Sequence, residues 1–213
     1  METAALWQAG NRSHEATMVC LLDFRFEDKF SVSCEPSDDL KALPTFDGQK
    51  IDTSGLDLRF IRKYKRGVLS DFPFGLRGPN SCSAALRDAI EELEPGIHQF
   101  VPVDLFWKDG TPTGERVFLI NVGQKIESID AESSQSLLRS IDIDGNPYYA
   151  ITGTGGRNDH IVIKRKVVGE RHFWREGGVA GRIFGGNFFC SDALSDLIRS
   201  RKLKVTLDPL IVV

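Results

Sequence analysis

The chain has 213 residues, of which 41% are hydrophobic and 27% charged, a composition typical of ordinary globular proteins. Its net charge of −3 supplies no concentrated basic surface, which argues against nucleic acid as the main ligand. The longest apolar run near the N-terminus, Met18 to Leu22, is far too short to span a membrane, and no signal-peptide pattern precedes it. We therefore expect a cytoplasmic protein with no membrane or nucleic-acid partner.

The cysteines and histidines show no spacing that is typical of a metal or redox site. No two cysteines form a Cys-x-x-Cys pair, and the histidines occur singly. In a reducing cytoplasm we expect the cysteines to be free and mostly buried thiols. The sequence therefore predicts no metal and no cofactor. The cysteines are Cys20, Cys34, Cys82 and Cys190, and the histidines are His14, His98, His160 and His172.

The N-terminal part of the chain is predicted to consist of strands and a loop. Residues 17–24 and 29–34 have the composition of strands, and the segment "RFED" is expected to join them. Residues 35–55 are rich in Pro, Asp, Ser and Gly, which is typical of a loop. Residues 56–65 alternate apolar and charged side chains, which favours a third strand.

A helix is predicted to begin at Ser83, whose hydroxyl can accept the free amides of the first turn. Leu86, Ile90 and Leu93 follow at spacings of four and three residues and form one apolar face. The segment "EPG" at 94–96 ends the helix. Glu91 and Glu92 fall on the outer face of this helix, and no carboxylate pair sits in a recognisable pocket motif.

An antiparallel hairpin is predicted after this helix. Residues 97–107 form its first strand, residues 116–122 form the returning strand, and "KDGTPTGE" forms the turn. Alternation places His98 on the solvent side of the first strand. The opposite side carries Val101, Val103, Leu105 and Trp107.

The C-terminal part is predicted to hold further strands and a second helix. Residues 148–152 and 159–168 are expected to be strands, and 172–189 two short strands with a glycine-rich link. A helix follows at 191–202, capped by Ser191, and 204–213 form the last extended segment. The order of elements predicts a single α+β domain with a mostly antiparallel sheet and a few helices, around 83–94 and 191–202.

Two segments that are 108 residues apart have similar sequences. Residues 82–90 and 190–198 are identical at six of nine positions, which is compatible with a duplication or with shared capping alone. Cys82 and Cys190 each precede a helix start, where a thiol can become a nucleophile, so a small cysteine-dependent enzyme is the alternative function. No histidine stands near either cysteine in the sequence to act as its base. A packing role is favoured, because free cysteines are mostly buried.

Aromatic and charged residues at strand ends are candidates for contact with another protein. Trp and Arg dominate protein interfaces, whereas core packing is the alternative for large aromatic side chains. The candidates at two strand ends and on the outer face of the first helix are Trp107, Asp109, Phe173, Trp174, Arg175, Glu91 and Glu92.

These motifs carry a family resemblance. The segments "VLSDFPFG", "SAALRDAIEELEPGIHQFVPVDLFWKDG" and "FLINV", followed by Ile183-Phe184 and "CSDALSDLI", resemble an immunity-protein family of bacterial polymorphic-toxin and type VI secretion systems. This is a former domain-of-unknown-function family with a myxobacterial-type immunity domain. The resemblance covers residues 68–209. The closing segment "RSRKLKVTLDP" departs from the family pattern, because it keeps the proline but lacks a glycine and an aromatic residue.

The resemblance implies an immunity-protein-like domain at 68–213, with residues 1–67 contributing strands and a loop to the same fold. It further implies a cytoplasmic protein that binds and neutralises a cognate toxin, without catalytic residues or a cofactor. If the toxin is a nuclease, acidic groups could mimic phosphates, and the negative net charge motivates this hypothesis. The residues considered for that role are Glu91, Glu92, Glu94 and Asp142.

Overall fold

The structure is a computed structural model that describes residues 19–23, 34–44, 46–63, 69–72, 81–134, 137–141, 147–151, 161–177 and 188–213. At 23, 137–141 and 147–151 the description covers the backbone. Several sequence predictions lie outside the described residues: the link at 25–28, most of the glycine-rich link, and His14, Asp142, His160, Ile183 and Phe184.

The described elements are mostly strands, with single helices between groups of strands. The strands are β1 (Val19–Asp23), β2 (Cys34–Pro36), β3 (Arg59–Arg62), β4 (Ser81–Ser83), β5 (Gln99–Trp107), β6 (Val117–Asn121), β7 (Lys125–Ile126), β8 (Leu137–Ile141), β9 (Pro147–Ile151), β10 (Val162–Ile163), β11 (Phe173–Glu176), β12 (Phe188–Ser191) and β13 (Thr206–Val212). The helices are α1 (Asp38–Ala42), α2 (Ala84–Leu93), α3 (Arg165–Val168) and α4 (Asp192–Ser200).

The strands form two main sheets and a separate hairpin. One sheet has the order β10-β13-β1-β12-β11-β7, the other has the order β2-β3-β5-β6-β4, and β8 pairs with β9. Most pairs are antiparallel, and the parallel ones are β10 with β13, β11 with β7, and β3 with β5. Together with the helices, this arrangement is an α+β single-domain fold, as predicted.

A shared core joins the two sheets. It forms where α2 and α4 pack on one face of each sheet, so that apolar residues from all four elements bury one another. Its members include Cys20, Phe188 and Cys190 of the first sheet, Cys82, Phe118 and Ile120 of the second, and Leu86, Ile90, Leu194 and Ile198 of the helices. The opposite face of each sheet is covered by a further buried cluster. Both sheets are therefore buried on two sides.

The two predicted helices and the central hairpin are confirmed. Ser83 and Ser191 adopt the same extended conformation, and each hydroxyl accepts the amide of the residue three positions later. Strands β5 and β6 pair antiparallel over five positions. Val101, Val103 and Leu105 are buried on one side, as the alternation predicted.

The two N-terminal strands belong to different sheets: β1 lies between β12 and β13, whereas β2 pairs with β3. One prediction in this part of the chain is wrong. The predicted loop at 35–55 contains the short helix α1, because Ser37 caps it and Asp38 and Asp39 in its first turn suit the helix dipole. The boundary at residue 67 stays a prediction.

The predicted strand at 159–168 is also wrong in its second half. β10 pairs with β13 only at Val162 and Ile163, because β13 ends at Val212. The chain then turns into α3, which ends at Val168 and is followed by Gly169 with a φ of 59°. In the described part of the chain, no helix is both long enough and apolar enough to cross a membrane.

Candidate functional site

A surface cleft of about 310 Å³ lies where β3 and β5 end side by side. The two strands run parallel, and their register places Arg62 next to Trp107. The cleft, called here the Trp107 cleft, is lined by Arg62, Lys63, Trp107, Lys108 and Asp109. It therefore unites Trp107 and Asp109, two of the candidate contact residues, with three cations.

Arg62 forms the buried base of the Trp107 cleft. Its side chain is only 1% exposed, and its guanidinium carbon lies 4.5 Å from the centre of the Trp107 ring. Its Nη1 donates a hydrogen bond of 2.7 Å to Oε2 of Glu115. A desolvated cation over an indole ring contributes about 2 kcal/mol of stabilisation. The ion pair with Glu115 compensates the buried charge of Arg62. These contacts hold the half-buried indole in one orientation.

A tight turn presents the residues that follow Trp107. The Trp107 amide donates to the Thr111 carbonyl at 2.8 Å, and the Gly110 amide donates to the Trp107 carbonyl at 2.9 Å. Oδ1 of Asp109 accepts from both the amide and the hydroxyl of Thr111. Gly110 has a φ of 83°, which a residue with a side chain rarely adopts. The rim is thus ordered before any partner arrives, which lowers the entropic cost of binding.

Charges of both signs surround the Trp107 cleft. Lys63 pairs with Glu35 at 2.8 Å, and Lys108 and Asp109 are exposed on the turn. A half-buried aromatic residue inside a mixed polar rim has the anatomy of a protein interface rather than of a small-molecule pocket.

The expectation that Phe173 and Trp174 are exposed contact residues is wrong. Both are 0% exposed, because β11 lies inside a sheet that is covered on both faces. Phe173 stacks on Phe188 at 5.9 Å, and Nε1 of Trp174 donates to Oγ of Ser128 at 3.0 Å. These aromatic side chains belong to the core.

The other candidates do not join the Trp107 cleft. Arg175 is half-buried, and its Nη1 donates to the Phe46 carbonyl at 2.8 Å. Glu92 is exposed on α2 and pairs with Arg201 of the segment after α4. Because α2 ends near the start of β5, the nine residues of β5 separate Glu91 and Glu92 from Trp107 by roughly 26 Å. The candidates therefore form separate surfaces.

Strand alternation predicts His98 on the solvent side, and Glu94 is a candidate phosphate mimic, but the structure buries both. Glu94 is 6% exposed and His98 is 4% exposed. Oε2 of Glu94 accepts from Nε2 of His98 and from the Phe173 amide, and Oε1 accepts from Nε2 of Gln124 and from the His172 amide. Glu94 thus connects the end of α2 to β11 of the other sheet. It is not available as a phosphate mimic.

The environment of Glu94 favours its charged form. Burial acts to raise the pKa of Glu94, but hydrogen bonds from His98, the His172 amide and Gln124 outweigh burial and lower it. The Gly123 amide donates to Nδ1 of His98 at 3.3 Å, so Nε2 carries the hydrogen that points to Glu94.

The cysteines that precede the two helices are packing residues. Cys82 and Cys190 are each 0% exposed, and burial is the largest cause that raises the pKa of both thiols. A cysteine that attacks an enzyme's substrate needs the opposite shift and access to that substrate. The cysteine-enzyme hypothesis therefore loses its proposed nucleophiles.

The sequence did not indicate the role of Arg62 and Glu115. One signal was present: alternation in β3 places Arg62 on the same side as Phe60, which is fully buried. A buried arginine requires a partner, and that partner is 53 residues away. Among the described residues, no three His, Cys, Asp or Glu side chains are grouped so that they could hold a metal ion.

Comparison with known proteins gives one family. The model of the immunity protein family Imm11 matches residues 34–206 of the chain. The sequence resemblance begins at residue 68, whereas the family match begins at residue 34 and therefore includes β2, α1 and β3. No curated protein matches the chain significantly.

Proposed function

Because the chain belongs to the Imm11 immunity protein family, we propose that it binds a cognate bacterial toxin and neutralises it by direct contact. The family match over residues 34–206 is the observation that carries this proposal. The toxin would be an effector of a polymorphic-toxin or type VI secretion system, and the immunity protein would meet it in the cytoplasm. The protein would perform no chemistry of its own.

The Trp107 cleft is the surface that we assign to toxin contact. A half-buried Trp stacked on Arg62 supplies the residue types that dominate binding energy at interfaces. The hydrogen-bonded turn from Trp107 to Thr111 is already ordered, so little conformational entropy is lost on binding. The cleft also lies within the residues that the family match covers. Binding there would occlude or distort the toxin's active site.

Co-purification tests the function first. The full chain would be co-expressed with the C-terminal domain of the toxin gene beside its own gene, and growth and complex formation would be measured. The proposal expects rescue of growth and a stable complex on size exclusion. Growth rescue without any detectable complex would overturn binding as the mechanism.

Substitution tests the surface separately. Trp107→Ala should weaken toxin binding by about 2 kcal/mol or more, which corresponds to roughly a 30-fold rise in Kd by calorimetry. Ile97→Ala is the matched control, because Ile97 is a 47% exposed apolar residue near the other end of β5. If both variants fold and bind equally well, the Trp107 cleft is not the contact surface, although the function stands.

A further inference from the structure

The thiols of Cys20 and Cys190 lie on directly opposed positions of β1 and β12. Opposed residues in an antiparallel pair have Cα atoms about 4.5–5.5 Å apart. A disulfide requires Cα atoms about 4.4–6.8 Å apart, so the usual separation of opposed residues lies within the range that a disulfide spans. Both side chains belong to the shared core and therefore emerge on the same face of the sheet.

Helix α4 covers this pair with an arginine that reaches solvent. Nη2 of Arg199 lies 4.0 Å from Sγ of Cys20, and the Arg199 side chain is 47% exposed. Asp196, one turn earlier, pairs with Arg199 at 3.3 Å. On the other side of β1 the residue opposite Cys20 is Pro209, which does not titrate. Because Cys20 is itself 0% exposed, a movement such as rotation of the Arg199 side chain must open a path before a small reagent can reach the Cys20 sulfur.

The two thiols are not equivalent. The hydrogen bond from Cys190 is the largest influence on Cys20, and with Ser195 and Arg199 it outweighs burial and lowers the pKa of Cys20 to about 7. Burial, followed by the neighbouring Cys20, raises the pKa of Cys190 well above its ordinary value. Cys34 and Cys82 also have raised pKa values, through burial. Near neutral pH a substantial fraction of Cys20 is therefore thiolate, whereas Cys190 remains a thiol.

We propose that Cys20 and Cys190 form a thiol-oxidation site, at which a hydroperoxide converts the two thiols into a disulfide between β1 and β12. The Cys20 thiolate attacks one peroxide oxygen, the O–O bond breaks, and Cys20 becomes a sulfenic acid as hydroxide leaves. The Cys190 sulfur then attacks the Cys20 sulfur, and the S–O bond breaks. The departing hydroxide takes the Cys190 proton and becomes water. Two thiols and one hydrogen peroxide give one disulfide and two waters.

The cross-link would fix the N-terminal strand in the centre of its sheet. It joins positions 20 and 190, so it closes a loop of about 170 residues in the unfolded chain. Because loop-closure entropy rises with loop length, oxidation should raise the Tm of the protein.

The experiment treats the purified full chain with hydrogen peroxide and maps peptides by mass spectrometry without reduction. We expect one cross-linked peptide pair, Cys20 with Cys190, and full alkylation of Cys34 and Cys82 after unfolding. The rate should rise about tenfold between pH 6 and pH 8, following the thiolate fraction of Cys20. Disulfides between chains, or oxidation that begins at Cys34 or Cys82, would overturn the proposal.

Variants separate this site from general thiol chemistry. Cys20→Ser and Cys190→Ser should each abolish the cross-link, and Cys82→Ser is the matched control that retains it. Arg199→Met replaces a side chain that is 47% exposed, and it should slow oxidation at pH 7 by removing the positive charge near Cys20. An unchanged rate in folded Arg199→Met protein would refute the assigned role of Arg199. The absence of a Cys20–Cys190 cross-link in the wild-type protein would refute the site.

Discussion

Replacing Glu94 with alanine should destabilise the protein more than any surface substitution on α2. Glu94 accepts four hydrogen bonds, from His98, Gln124 and the amides of His172 and Phe173. The Phe173 amide belongs to β11 of the six-stranded sheet and the His172 amide directly precedes that strand, whereas Glu94 caps the C-terminal end of α2. The carboxylate is therefore a polar connection between the two halves of the fold.

The magnitude follows from the donors that Glu94→Ala leaves without an acceptor. Each buried donor without a partner costs about 1–3 kcal/mol, and such costs are not fully additive. With the His98 ring nitrogen and the Phe173 amide both buried, we expect a loss of about 3–5 kcal/mol. That is a large part of the 5–15 kcal/mol by which domains are typically stable.

Chemical denaturation measures this loss. The free energy of unfolding would be obtained from guanidinium titrations followed by tryptophan fluorescence and far-ultraviolet circular dichroism. Glu92→Ala is the matched control, because Glu92 is exposed and its ion pair with Arg201 should contribute at most about 1 kcal/mol. A loss below about 1 kcal/mol for Glu94→Ala, or equal losses for both variants, would show that the hydrogen bonds of Glu94 do not join the sheets.

Three further predictions concern stability. Gly123→Ala should lower the free energy of unfolding by about 1–3 kcal/mol, because the added Cβ would lie 2.2 Å from the Ile97 carbonyl oxygen. An unchanged midpoint of chemical denaturation would contradict this contact. Ser83→Ala and Ser191→Ala should each lower the unfolding free energy by about 0.5–2 kcal/mol through loss of a helix cap, and a threonine at either position should restore most of it. The pKa of Glu94 is lowered in the folded state, so its contribution is present above the ordinary carboxyl pKa of about 4.3 and is lost as the pH falls through the lower folded value. Glu94→Gln should therefore flatten the decline in stability between pH 5 and pH 3, and an identical pH profile would refute this assignment.

Local signals in the sequence were sufficient for the helices and the central hairpin. Ser83 and Ser191 act through amides three residues away, and the apolar spacing after them lies within one helix. The alternation from Val101 to Leu105 likewise identified the buried side of β5. Each of these features depends on residues within a few positions of one another, so each can be predicted directly from the sequence.

The candidate contact site was predicted only in part. Trp107 and Asp109 were recognised because an aromatic residue at a strand end next to a turn is a local pattern. Arg62 was not recognised, because the parallel register that places it against Trp107 joins strands 45 residues apart. Phe173 and Trp174 carry the same local pattern as Trp107, yet they are core residues.

Where the helices begin, which side of β5 is buried and which family the chain resembles can all be predicted from the amino-acid sequence. The position of β1 between β12 and β13, the burial of Glu94 between the sheets and the pairing of Cys20 with Cys190 became visible only in the folded protein. Helix capping and strand alternation act over a few residues. The burial of a strand end and the partner of a buried charge depend instead on which distant segments cover them.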